Sequence, residues 1–181
     1  MDIGLSLALE TLTRNPDPIL LCRCMQTIAR QGSREHILLL SGYISDPTIV
    51  FRRRYRGIGG GEVQVGDVAA AAIAFLSSVP VTEIGFAEPA EHETFGIIYE
   101  ELVVPQKPLT GEEKADEDQT DGAQGERERM NQAPFGPRPK TLREIQQLKR
   151  ESERRAAARI EIHLKAMELV PAAPLAPPGK S

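Results

Sequence analysis

Residues 66–80, GDVAAAAIAFLSSVP, restrict the fold of this chain more than any other stretch. Asp67 can cap a helix and Pro80 can stop one, and nothing between them is charged. The run predicts a helix of about three turns that is apolar or small on every side. A helix with no polar face must be covered on most sides, so the first hundred residues are expected to wrap it. It is too short to span a bilayer, which needs about 20 apolar residues, and no other stretch is long enough.

The flanking segments read as alternating helices and strands. Leu5, Leu9 and Leu12 recur at helical spacing before the break at Asn15 and Pro16. A second helix is punctuated by Asp17 as cap, Pro18 at the first position and Gly32 after the last turn. Arg23, Gln26, Thr27 and Arg30 form its one polar stripe, while Ile19, Leu20, Met25 and Ile28 cover the rest. HILLLSGYIS (36–45) reads as a central strand, with a helix beginning at Ser33 as the competing interpretation. Asp46-Pro47 marks a turn, and TIVFRRRYR (48–56) would complete a hairpin. Residues 57–61 form a glycine-rich loop, and 62–65 predict a short strand. VTEIGFAE and TFGIIYEELVV predict two more. This order points to an α+β domain with a mainly antiparallel sheet around the apolar helix, covering residues 1–104.

Composition changes at Pro105. Residues 105–140 are rich in charge, Gly, Pro and Gln and cannot bury enough apolar surface to order themselves, which predicts a disordered linker. Residues 141–170 predict a separate, charged, amphipathic helix, and 171–181 a proline-rich tail. Leu148, Ser152, Ala156, Ile160 and Leu164 form one row on that helix, flanked by Ile145 and Met167. KRESERR interrupts the stripe, which argues against a sustained coiled coil. Charge is uneven as well. Up to Val104 there are eight arginines, no lysine and thirteen acids, a net −5, whereas residues 141–181 carry +3.

Few residues suggest chemistry. The loop GIGGGE lacks the Lys-Ser/Thr ending of a P-loop and does not open directly on a helix, so a strand-connecting loop is the simpler reading. Cys22 and Cys24 are poorly placed for a disulfide and have no second pair to complete a zinc site. They read as small core thiols in a reducing, intracellular, cytoplasmic setting. His92 sits among carboxylates in EPAEHETF, which is weak support for catalysis. No signal peptide, metal cluster or cofactor signature is legible, and neither a catalytic residue nor a membrane association is expected.

Two functions follow. The first is a non-enzymatic adaptor or assembly subunit whose tethered helix meets a protein partner, or a copy of itself, through Ile145, Leu148, Ile160, Leu164 and Met167. A 36-residue linker spans about 30–35 Å, enough to separate two contact sites. Deleting residues 141–181 should then leave a folded body that no longer associates. The alternative is a nucleic-acid-binding accessory protein using FRRRYR, that is Phe51, Arg52, Arg53, Arg54, Tyr55 and Arg56, together with the basic helix residues Arg150, Arg154, Arg155 and Arg159. Overall acidity weighs against it, and the glutamates of 83–101 offer neutralising partners for the arginines.

Overall fold

The computed structural model describes residues 3–14, 16–52, 61–88, 90–92, 94, 96–106 and 142–171. Among these are six α-helices and two small antiparallel sheets, an α+β arrangement in which helices dominate. The predicted linker from residue 107 on and the proline-rich tail after Pro171 lie outside the described residues.

The apolar helix is the centre of the fold, as its composition requires. It is α4 (Val65–Leu76), and every residue from Val65 to Ala74 is buried. It packs against α2 (Pro18–Gln31), α3 (Ile37–Ser41) and the C-terminal helix, α6 (Leu142–Glu168). Alanines at 69–72 and 74 keep its radius small, so three helices can approach it. Gly66 marks the tightest approach. A Cβ there would lie 2.2 Å from the Ile44 carbonyl oxygen and 2.9 Å from the ring of His163.

Helix α1 (Ile3–Thr13) lies on α2 through Leu5, Ala8 and Leu12. The α2 boundaries match the sequence punctuation: Asp17 Oδ1 accepts from the amides of Ile19 and Leu20 at 3.1 and 3.2 Å, and Gly32 closes the last turn. Its burial differs from expectation at one end, where Ile19 and Leu20 are exposed while Met25 and Ile28 are fully buried.

Two predicted strands are helical. Residues 34–41 form a 3-10 turn followed by α3, so the competing helical interpretation of this stretch is correct. Ile37, Leu40 and Ile44 are buried while Leu38 and Leu39 are exposed, which is a helical period and not an alternation. VTEIGFAE is likewise the short helix α5 (Val81–Ile84). Gly85 ends it at φ +118°, a left-handed conformation that reverses the chain and buries Phe86.

The sheets are correspondingly small. Strand β1 (Ile49–Arg52) pairs antiparallel with β2 (Glu62–Gln64), so the hairpin partner of 48–56 is the segment after the glycine-rich loop and not residues 36–45. Strand β3 (Glu91–His92) pairs with β4 (Gly96–Ile97); β4 lies inside the predicted strand 94–104, whereas β3 falls in the connection that precedes it. A 3-10 turn at Tyr99–Glu101 follows, and Tyr99, Leu102 and Val104 fill the core beyond it.

Candidate interaction site: the C-terminal helix and its anchor

Helix α6 follows residues 107–141 as a separate element and has two distinct sides. Ala158, Ile162 and Ala166, spaced by four residues, are buried against the body. Ile162 lies beside Gly85, and Lys165 Nζ reaches the carbonyl of Glu83 at 3.4 Å. Ile145, Leu148, Ile160, Leu164 and Met167 are each 37–61% accessible; Ile145, Ile160, Leu164 and Met167 share an arc of about 100°, while Leu148 lies on the line of Ala166, five turns toward the N-terminus. All five residues expected to meet a partner helix therefore face solvent and take no part in the core.

What fixes α6 in this orientation is an ionic cluster under its middle turns. Asp67 is 0% exposed, the one buried charged residue among those described. Its Oδ2 accepts from the Gln64 amide at 2.9 Å, which makes it the third residue of α4 rather than its cap. Arg159 Nε donates to both carboxylate oxygens, at 2.8 and 3.0 Å, and Arg159 Nη2 donates to the Glu62 carbonyl at 2.8 Å. His163 Nε2 lies 3.1 Å from Oδ1, and its ring rests over Gly66. Arg159 and His163 are one turn apart, so a single face of α6 presents both to one carboxylate. A carboxylate inside apolar surroundings is costly unless paired and hydrogen-bonded, and here its oxygens are engaged by three residues.

Sequence reasoning missed this anchor by assigning Asp67 to a cap. The signal was present. A lone acid in a helix predicted to be covered on all sides needs a base, and Arg159 and His163 are four apart on a basic helix. The anchor also changes the truncation expectation. Removing residues 141–181 would leave Asp67 without Arg159 and His163, so the shortened body is not expected to be a clean test of partner binding.

The remaining candidates are dispersed. Phe51 is half-buried against the core, and Arg52 is exposed in an ion pair with Glu62 across the β1–β2 hairpin at 3.2 Å. Arg53, Arg54, Tyr55 and Arg56, with most of the glycine-rich loop, lie outside the described residues. Of the basic helix residues, Arg159 faces inward and is engaged by Asp67. His92 is exposed, with Nδ1 accepting from the Thr94 amide at 3.1 Å, and His36 Nδ1 accepts from the Ser33 amide at 3.0 Å. Both imidazoles serve local turns.

Cys22 and Cys24 are free and buried. Burial, then the carboxylates of Asp46, Glu100 and Asp67, push the Cys22 thiol up to about 12, so it stays protonated and unreactive. A cleft of about 510 Å³ lies along the polar stripe of α2, lined by Arg23, Gln26, Arg30 and Gln31 with Glu100 opposite. Gln26 is committed there to the carbonyl of Ile97 at 2.6 Å. Arg23 also bonds the buried Tyr99, whose hydroxyl is raised chiefly by burial and then by Glu100, with Arg23 opposing. No group of three metal-ligating side chains occurs among the described residues, and none of their helices is long and apolar enough to cross a membrane.

Comparison with known proteins adds no family: no family model, curated protein or solved structure matches this chain.

Proposed function

We propose that this chain is a non-enzymatic adaptor or assembly subunit, with α6 as its partner-binding element. One observation carries the reading: α6 is anchored through Ala158, Ile162 and Ala166 yet leaves five large apolar side chains in solvent. Ile145, Ile160, Leu164 and Met167 fall within an arc of about 100° on the helix surface, and a shared apolar arc of this kind suits contact with a partner, since Ala158, Ile162 and Ala166 already bury the helix against its own core. Fixing the helix through Arg159 and His163 presents that arc at a constant angle, which lowers the ordering cost of binding. Helix-on-helix or helix-in-groove recognition is the mode such an arc suits.

The test compares the full-length chain with an Ile160→Glu/Leu164→Glu variant. Both positions are exposed, so the thermal melt should be unchanged within about 0.5 kcal/mol. Immobilised wild type should retain proteins from an extract of its own cells, and the variant should lose them. Retention of every partner by a well-folded variant would remove α6 from the mechanism.

A further inference from the structure

The cleft along the polar stripe of α2 holds one cation and one acceptor that the fold does not use. Arg23, Gln26, Thr27, Arg30 and Gln31 fall within an arc of about 140° and about 12 Å of helix, so all five line a single wall. Ile98 and Glu100 line the cleft as well. Arg23 donates to the Tyr99 hydroxyl and Glu100 accepts from it, which sets their opposite charges against each other. The other described arginines of the body are engaged too: Arg14 by Glu10, Arg34 by the Ser77 carbonyl and Arg52 by Glu62. Arg30 alone among them has no hydrogen bond or ion pair, although the body carries an excess of acids. Next to it in sequence, Gln31 Oε1 is buried with no partner. An unpaired buried acceptor is a cost that a ligand's donor removes.

We propose that this cleft takes the C-terminus of a peptide chain. The Arg30 fork donates two hydrogen bonds to the terminal carboxylate, and Gln31 Oε1 accepts from the last N–H. Ile98, half-buried, offers apolar contact to the last side chain. An open cleft of about 510 Å³ suits about three or four extended residues along 12 Å of wall. Charge favours a carboxylate over a phosphate. With Arg23 balanced by Glu100, Arg30 leaves one net positive charge, which a carboxylate matches, whereas a phosphate dianion would exceed it and be repelled by Glu100. The root of Arg30 is also held. The β3–β4 hairpin crosses it at Gly96 (φ +73°), where a Cβ would lie 3.3 Å from the Arg30 Cβ. A pinned stem reduces the ordering cost of clamping a carboxylate. No α6 residue lines the cleft, so this ligand is distinct from whatever meets α6.

Nuclear magnetic resonance titration of the isotope-labelled full-length chain tests the site. The probe is a pool of acetylated tripeptides with free carboxylates and every side chain at the last position. Saturable shifts should appear at the amides of residues 23–31 and 96–100 at about millimolar peptide or below. The same pool, amidated at its C-terminus, should bind at least about tenfold more weakly, because the charge-assisted pair is lost. Arg30→Gln should weaken binding by about the same factor without changing the melt, and Arg30→Lys, which keeps the charge but not the fork, should fall between. Equal binding of the amidated pool, undiminished binding by Arg30→Gln, or no shifts at about 5 mM peptide would each overturn the proposal. So would inorganic phosphate that displaces the peptides at equal concentration, since the cleft would then read charge alone. The Ile160→Glu/Leu164→Glu variant should bind the peptides as wild type does, so failure at this cleft leaves the reading of α6 untouched.

Discussion

Replacing Asp67 by Asn should loosen the whole C-terminal half of the structure. The change keeps the shape and leaves one oxygen to accept from Gln64 or Arg159, but it removes the charge that opposes Arg159. Breaking a buried pair by deleting one partner typically costs about 3–5 kcal/mol. Arg159 retains 13% side-chain exposure, so some screening persists and about 3 kcal/mol is the appropriate figure. With a urea slope of about 2 kcal/mol per molar, the unfolding midpoint should fall by about 1.5 M. Arg159→Met should cost as much or more, because it leaves a fully buried carboxylate with only His163 and the Gln64 amide. The double variant Asp67→Leu/Arg159→Met should be milder than the sum of the separate losses, since no unpaired charge remains. Urea denaturation followed by circular dichroism measures all of these. Single variants within about 1 kcal/mol of wild type, or strict additivity, would show that the cluster is not what holds α6.

Other consequences can be checked more briefly. Gly66→Ala should destabilise by more than about 2 kcal/mol, because the new methyl overlaps the Ile44 backbone; a neutral melt would contradict that packing. Ile162→Ala should cost about 2–4 kcal/mol in the same assay while leaving the exposed apolar arc intact. Cys22 ionises at its ordinary 9.0 when unfolded but at about 12 when folded. Its contribution to stability is therefore complete below pH 9 and lost as pH rises from 9 toward 12. Stability of Cys22→Ala should fall less steeply over that window, and parallel curves would count against the buried thiol. Salt-sensitive oligonucleotide binding should be absent. If it occurs, and is lost when Arg52, Arg53, Arg54 and Arg56 become Gln, the nucleic-acid reading replaces the adaptor.

How legible this was depended on whether a signal was local. The caps of α2, the burial of α4 and the existence of α6 follow from residues within a turn or two of each element, and each was readable. Segments 36–45 and 81–88 misled because short apolar runs fit strand and helix alike. Only the burial of Ile37, Leu40 and Ile44, with Leu38 and Leu39 outside, separates the two. The exposed apolar residues of α6 were visible because they are large. The inner row was not, because two of its three residues are alanine and its fixing contacts are polar. Asp67 was the hardest to place. Its role is set by residues 92 and 96 positions away, and nothing local distinguishes a capping acid from a buried counterion.

That long-range pair also decides how α6 can act. A partner competing for the inner side would have to strip Arg159 and His163 from a carboxylate at 0% exposure, a penalty of about 3–5 kcal/mol before any new contact forms. A partner on the exposed apolar arc meets no such barrier and finds a 27-residue helix already ordered by the body. Alone in water that helix would be only partly formed, so the anchor provides the preorganisation the arc needs. Association should then leave helix content unchanged. Far-ultraviolet circular dichroism before and after association with a partner gives the check, and a rise in helicity on association would mean that α6 binds by folding rather than from its docked position.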